Sequence, residues 1–215
     1  EKDRKMAAKF KETARVIYQE SLGGQIYSMW IQTKTIAGNA KPGQFVSVYT
    51  QDGSKLLPRP ISLCEIDKEK GALRLVYRVT GPKTGTESFS RLHAGAQLEL
   101  LGPLGNGFPL EEAAGRRVFL MGGGIGVPPM LETMKQLDAK KIAVLGYRDE
   151  LFLNEEFEKN GDSEQKSHFI CCPLLAVGAM KKISSHKIVF LKYWGAKIDI
   201  LEKKKLHKQQ LLEKS

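Results

Sequence analysis

The segment Gly102-Pro103-Leu104-Gly105-Asn106-Gly107-Phe108-Pro109 separates two kinds of sequence pattern. Its glycines and prolines cannot propagate a helix or a central strand, so it reads as a connection. Before it, short β-rich runs alternate with turn residues. Arg15–Tyr18 and Ile26–Thr33 are rich in β-branched and aromatic residues, with Gly23-Gly24 as a hairpin signal between them. Lys41-Pro42-Gly43 turns into an apolar run over Gln44–Thr50, and Pro58-Arg59-Pro60 leads into Ile61–Ile66. In Ala72–Thr80, Leu73, Leu75, Tyr77 and Val79 alternate with Arg74, Val76 and Arg78, the period of a strand with two different faces. Thr84–Leu92 is a short helix with Thr84 and Glu87 at capping-box spacing, and Leu98–Leu101 closes the series. At least six short strands at this spacing predict a small antiparallel β-barrel over residues 8–108.

After the connection the period changes. Arg117–Met121 is an apolar strand, Val127–Leu137 a helix with prolines in its first turn, Ile142–Gly146 a second strand and Glu150–Lys159 a second helix. Strand and helix in alternation predict a parallel α/β unit over residues 109–161. The remainder, 162–215, is different in kind. It holds eleven lysines against five acidic residues, so six of the net charge of +10 sits there. Ile188–Tyr193 suits a strand and Lys203–Leu212 a short helix. The densest cluster, Lys203-Lys204-Lys205, has no aromatics interleaved with it, so a solvated basic end is expected rather than a nucleic-acid site. No run of about 18 apolar residues exists, and Glu1–Met6 leads into no signal-peptide core, so neither membrane nor secretion is expected and the cytoplasm is the expected compartment.

Three segments carry candidate chemistry. Gly122-Gly123-Gly124-Ile125-Gly126 lies between a strand and a helix, the context of a phosphate-binding loop. Glycines allow close approach of a diphosphate, and a helix N-terminus offers N–H groups and the positive end of its dipole. The loop fits neither G-x-G-x-x-G nor the Gly-Lys-Ser/Thr ending of triphosphatases, and a tight strand-to-helix turn would use the same glycines. Arg59-Pro60-Ile61-Ser62 presents an arginine between prolines, a rigid fork for a phosphate, followed by a serine able to meet a polar ring edge. Thr84-Gly85-Thr86 opens a helix, where Gly85 permits close approach and ordinary capping is the plainer reading. Tyr77 could pack on a flat ring or fill the barrel core.

Taken together, Pro42–Phe45, Leu57–Leu63, Tyr77-Arg78-Val79, Gly85-Thr86, Gly102–Phe108, Gly122–Met130 and Gly146–Glu150 resemble, in order, the electron-transfer subunits of NAD-linked dihydroorotate dehydrogenases. These subunits are part of the ferredoxin-reductase-like flavoprotein superfamily. The resemblance covers residues 10–160. It implies an FAD-binding barrel in which Arg59, Pro60, Ile61 and Ser62 hold the cofactor, Arg59 at the diphosphate and Ser62 near the isoalloxazine. It implies that Val76, Tyr77 and Arg78 line the flavin and that Gly85 and Thr86 meet its phosphates. Gly122, Gly123, Gly124, Ile125 and Gly126 would receive NADH. Electrons would pass from NADH to FAD, then through a [2Fe-2S] cluster to a partner subunit whose FMN acts on dihydroorotate.

The sequence departs from that pattern beyond Gly161. The family's cluster takes four cysteines in a C-terminal region, and this chain has only Cys64, Cys171 and Cys172. The α/β half is therefore expected to be incomplete, with residues 162–215 an atypical end of a truncated, chimeric or frame-shifted gene and Met6 its natural start. Arg148 and Asp149 leave NADPH and NADH both open. Another ferredoxin-reductase-type NAD(P)H oxidoreductase subunit and a non-catalytic FAD-binding remnant are the alternative readings.

Overall fold

The computed structural model describes residues 8–147 and 150–161, with backbone strands at His168–Ile170, Ile188–Trp194 and Lys197–Glu202. Arg148, Asp149, Cys171, Cys172 and Lys203–Leu212 lie outside the described residues. Clustering of the chain gives two compact units, dividing between Phe108 and Pro109.

The first unit is a closed six-stranded barrel. Its strands are β1 (Phe10–Gly23), β2 (Ile26–Gln32), β3 (Phe45–Val48), β4 (Arg59–Asp67), β5 (Ala72–Arg78) and β6 (Gln97–Leu104). They run in the order β1-β2-β5-β4-β3-β6, every neighbouring pair antiparallel. Alternation along each strand decides which side chains fill it. Met29 and Ile31 of β2, Leu73, Leu75 and Tyr77 of β5, and Leu98 and Leu100 of β6 join one buried core. Closure leaves no edge strand to template association.

A short helix that the sequence pattern does not reveal, α1 (Lys34–Asn39), buries Ile36 and Ala37 in that core. Its own N-cap residue, Thr33, makes no capping bond. The cap comes from across the sheet: the Glu12 carboxylate accepts from Ile36 N at 3.2 Å, from Thr35 N at 3.4 Å and from the Thr33 hydroxyl at 2.7 Å.

Two sequence blocks that lie far apart in the chain are one structural joint. Phe108 N donates to Pro42 O at 2.9 Å, and Gln44 Nε2 donates to Gly105 O at 2.8 Å. The Phe108 ring covers Gly43, where an added Cβ would come within 2.4 Å of it. Gly43 also has φ of +81°, so this position excludes side chains twice over. The connection therefore belongs to the barrel as far as Phe108.

The second unit holds β7 (Arg117–Gly123), α3 (Pro128–Gln136), β8 (Lys140–Gly146), α4 (Asn154–Asn160), β9 (His168–Ile170), β10 (Ile188–Trp194) and β11 (Lys197–Glu202). The sheet order is β11-β10-β7-β8-β9. β10 and β8 run parallel to β7, β9 runs parallel to β8, and β11 is antiparallel to β10. The expected parallel α/β unit is present, and its sheet continues into residues 162–215. The second helix starts four residues later than its sequence pattern suggests. Leu153 adopts a left-handed φ of +64°, which no helix interior allows, so α4 begins at Asn154. Tyr147 fixes this corner, with its hydroxyl 2.9 Å from Phe152 O and its ring edge-on to Phe152 at 5.2 Å.

Candidate functional site

The pairing of β4 with β5 stops short of the start of β4 and of the end of β5. The β4–β5 ladder runs from Asp67↔Ala72 through Glu65↔Arg74 to Leu63↔Leu75, with a register shift between Leu63 and Glu65, and stops there. Continuing the register would set Ser62 opposite Val76, Ile61 opposite Tyr77 and Pro60 opposite Arg78, and none of these is a ladder pair. Arg59–Ser62 has its ladder partners in β3 and Val76–Arg78 in β2. Pro60 explains part of the stop, because it has no N–H to give to β5. The ladder between β4 and β5 thus ends where the two segments singled out in the sequence lie.

A third candidate segment lies beside Arg59. The helix α2 (Gly85–Ser90) begins against this arginine: a Cβ at Gly85 would lie 2.8 Å from Arg59 Nε and 3.1 Å from Thr50 Cγ2. The glycine is the condition for the guanidinium to lie on the first turn of the helix. Arg59 Nη1 donates to Leu57 O at 2.7 Å. Among the described residues no carboxylate pairs with Arg59, so its positive charge is uncompensated within this part of the barrel.

The helix is fastened at both ends. Thr84 Oγ1 accepts from Glu87 N at 3.3 Å, as capping-box spacing predicts, but the Glu87 carboxylate reaches Lys83 N rather than Thr84 N. At the other end Gln19 of β1 donates from Nε2 towards the carbonyls of Phe89, Ser90 and Leu92 at 2.9–3.1 Å. Phe89 O and Ser90 O belong to the last turn of the helix, whose carbonyls lack i+4 partners within it, and Leu92 O follows its C-cap. Gln19 Oε1 in turn accepts from the Tyr77 hydroxyl at 2.9 Å. Sequence reasoning missed Gln19, and no local signal marks a polar residue in β1 as a helix cap 70 residues away.

The side chains of the candidate segments divide into two groups. Ile61 and Tyr77 point into the barrel core, as their alternation with Leu63 and Leu75 requires. Tyr77 is 2 % exposed, stacks on Tyr27 at 5.9 Å and meets Phe89 edge-on at 6.0 Å. Burial pushes its phenol pKa well above the ordinary tyrosine value, with the Tyr27 charge adding to the shift. Val76 is also buried. These three side chains are inaccessible, so only their main chain could meet a ligand. Arg59, Ser62 and Arg78 are half-buried, and Pro60 is exposed. The Thr86 hydroxyl accepts from Thr80 N at 3.2 Å and lies 3.1 Å from Thr84 Oγ1, so it also shapes the turn before the helix.

The glycine loop of the second unit is a turn of 3₁₀ helix, Gly124–Gly126, between β7 and α3. Its glycines are not equivalent. A Cβ at Gly122 would lie 2.9 Å from both Gly126 O and Val127 Cα, so the fold itself requires that glycine. Gly124 needs its φ of +52°. Gly123 is extended, with φ −126° and ψ 129°, and nothing lies within 4 Å of its missing Cβ. The fold gives no reason for glycine at 123, which leaves an open cradle beside the backbone. One expectation is corrected. α3 offers no free N–H at its start, because Pro128 and Pro129 have none and Met130 N donates to Val127 O at 3.0 Å. Val127 N is spent on Gly124 O, so any donors must come from the loop itself.

Among the described residues no cluster of His, Cys, Asp or Glu could hold a metal ion, and no helix is long and apolar enough to cross a membrane.

No family model matches the chain. It is 40% identical over 159 residues to the electron transfer subunit of dihydroorotate dehydrogenase B (NAD(+)) of Enterococcus faecalis, covering 71% of this chain and 60% of the relative. The same-named subunit of Bacillus cereus is 40% identical over 160 residues, with 71% and 61% covered. The chain thus spans about 60% of the length of the curated relatives it matches. Among solved structures, an NADH-dependent reduced ferredoxin-NADP oxidoreductase, described for flavin-based electron bifurcation, superposes with a TM-score of 0.67 at 21% identity, covering 79% of this chain and 63% of that one. A ferredoxin NADP+ reductase of Neisseria gonorrhoeae, solved with bound FAD and NADP, gives 0.64 at 14% identity, with 84% and 83% covered. The fold is that of the ferredoxin-reductase-like proteins, barrel first and parallel sheet second.

Proposed function

We propose that this chain is a flavin-dependent electron-transfer protein, working as the electron-transfer subunit of a dihydroorotate dehydrogenase. FAD would lie where the β4–β5 ladder stops, and NADH would be its reductant. The observation that carries the reading is Arg59, which has no acidic partner among the described residues and rests on the Gly85 turn of α2 at the point where the β4–β5 ladder stops. The residues present fit FAD on three counts. Arg59 lies on the first turn of α2 in space that only a glycine at 85 leaves, giving a cation for a diphosphate. Arg59–Ser62 and Val76–Arg78 offer main-chain groups to the edge of a planar ring. Gln19 and the Thr84 cap hold α2 rigid between them.

Bound there, FAD would supply the exchange between two-electron and one-electron transfer, which no side chain performs. The chain's own part is to hold and orient. Arg59 offsets the charge of the diphosphate, the barrel core keeps Ile61 and Tyr77 from moving, and Gly123 leaves room for a second nucleotide. A partner dehydrogenase subunit would accept the electrons, in line with the relatives' name as electron transfer subunits. The three cysteines cannot by themselves supply four thiolates, so a cluster on this chain is not part of the proposal.

A second reading has an observation of its own. Two prolines deprive α3 of the N–H groups that favour a diphosphate, as expected for a chain that holds flavin and is not reduced by a nicotinamide nucleotide. Anaerobic addition of NADH, then NADPH, to the FAD-loaded full chain separates the two. The main proposal expects the flavin absorbance to bleach. A yellow protein that neither nucleotide bleaches would establish the second reading.

A further inference from the structure

The segment between β3 and β4 carries a side chain that no site assignment uses. Lys55 Nζ lies 2.7 Å from Ser88 Oγ of α2 and 3.0 Å from the Asp52 carboxylate, and its side chain is 17% exposed. Ser88 is three residues beyond Gly85, so it shares the helix face on which Arg59 rests. The segment that carries Lys55 is itself fixed. Asp52 Oδ1 accepts from Ser54 N at 3.0 Å and from Ser54 Oγ at 2.6 Å, Lys55 N donates to Asp52 O at 2.9 Å, and Thr50 Oγ1 donates to Lys55 O at 3.1 Å. The same Thr50 packs its methyl against Gly85. Two segments remote in sequence, 50–59 and 84–88, are therefore interlocked at two points one helical turn apart: Arg59 and Thr50 on Gly85, and Lys55 on Ser88.

We propose that Lys55 is a positioning residue, which through its bond to Ser88 holds the Arg59 strand end against the Gly85 turn and so sets the affinity for the dinucleotide. The inference rests on the reading of this end of the barrel as the FAD site. The Ser54 hydroxyl, and then Lys55 itself, hold the Asp52 carboxyl down to a pKa of about 2, so the counter-charge of Lys55 persists across the working pH range. Lys55 has one acceptor on its own segment and one on the helix, and only the second joins the two parts of the site. The side chains of Leu56 and Leu57 are exposed and pack on nothing that would fasten the segment in its place.

The test is a double-mutant cycle on the full-length chain with Lys55→Met, Ser88→Ala and the pair. FAD dissociation constants come from quenching of flavin fluorescence, and melting temperatures from the apoprotein. Each single variant is expected to weaken FAD binding about tenfold, in keeping with loss of a charged hydrogen bond. The pair should be no weaker than either alone, because both remove one link. The apoprotein melting temperature should change by less than about 2 °C, since the Lys55–Asp52 pair is open to solvent on its Asp52 side and such pairs contribute little to stability. Lys55→Arg, which keeps the charge and the reach, should recover affinity to within about threefold. Unchanged affinity in both single variants, or affinity and melting temperature falling together and additively, overturns the role given to Lys55. If Lys55→Met does not fold, Ser88→Ala carries the test alone. A native chain that binds no FAD overturns the site itself, an outcome distinct from native binding with indifferent variants.

Discussion

Gly85 in the barrel and Gly123 in the second unit both lack side chains beside a candidate ligand, and they lack them for opposite reasons. The space beside Gly85 is taken by the protein's own Arg59 and Thr50. The space beside Gly123 is empty, while its neighbour Gly122 is pressed against Gly126 and Val127. At the barrel, the glycine preorganises a charged group. At the loop, one glycine serves the fold and the next serves nothing within the fold. A glycine-rich motif is therefore not one signal but several, and geometry sorts its members into structural and ligand-facing ones.

The largest expected effect is at the structural member. Gly122→Ala sets a methyl 2.9 Å from backbone atoms that cannot swing aside, and should destabilise the second unit by about 2–3 kcal/mol. Chemical denaturation measures it, and an unchanged midpoint would dissolve the distinction between Gly122 and Gly123. Gly85→Ala comes next. The added methyl must displace the Arg59 guanidinium from 2.8 Å, a side chain that can move, so the chain should fold normally while FAD binding weakens about 20- to 100-fold. Titration of the variant with FAD checks this. Gly123→Ala meets no atom and keeps an ordinary extended φ, so stability should stay within about 0.5 kcal/mol. Its effect should appear only as a higher NADH concentration for half-maximal flavin reduction, about tenfold, with FAD affinity unchanged. Equal reduction by NADH in native and variant protein would make Gly123 a bystander.

The smallest effect concerns both units equally. Tyr77 and Tyr147 are buried, and burial raises both phenol pKa values above the usual 10.0. A folded-state pKa raised in this way contributes stability that is fully present below about pH 10 and is lost as pH rises further. Tyr77 and Tyr147 should ionise late, together with the loss of near-ultraviolet circular dichroism. Tyrosinate absorbance followed with pH tests this, and six smooth ionisations in an intact fold would contradict it.

Much of the barrel was legible because period-two alternation survives in β5 and because glycine and proline mark the turns. The same alternation already placed Tyr77 with Leu73 and Leu75, so its place in the core rather than on a ring face could be read beforehand. The first turn of α3 teaches a similar lesson. Pro128 and Pro129 suit a helix start because no N–H is missed there, and for the same reason they leave no N–H for an anion. Both consequences follow from one residue type, and sequence reasoning drew only the first. Other features were beyond its reach. The six residues of α1 are too few for a helical period, and their cap, Glu12, comes from another strand. The bonds of Lys55 to Ser88 and of Gln19 to the end of α2 join residues that no spacing rule relates. The stop in the β4–β5 ladder depends on register, which Pro60 hints at and only the folded barrel defines.

The central claim is that the barrel, through Arg59 and the ladder end beside it, binds one FAD. Its most direct measurement is the visible spectrum of the full chain after saturation with FAD and removal of free flavin, side by side with Arg59→Ala. The account predicts one FAD retained per native chain and, in the variant, an affinity weaker by about a hundredfold with the fold intact. A native chain that emerges colourless, or an Arg59→Ala variant that holds flavin as tightly as the native protein, would contradict it.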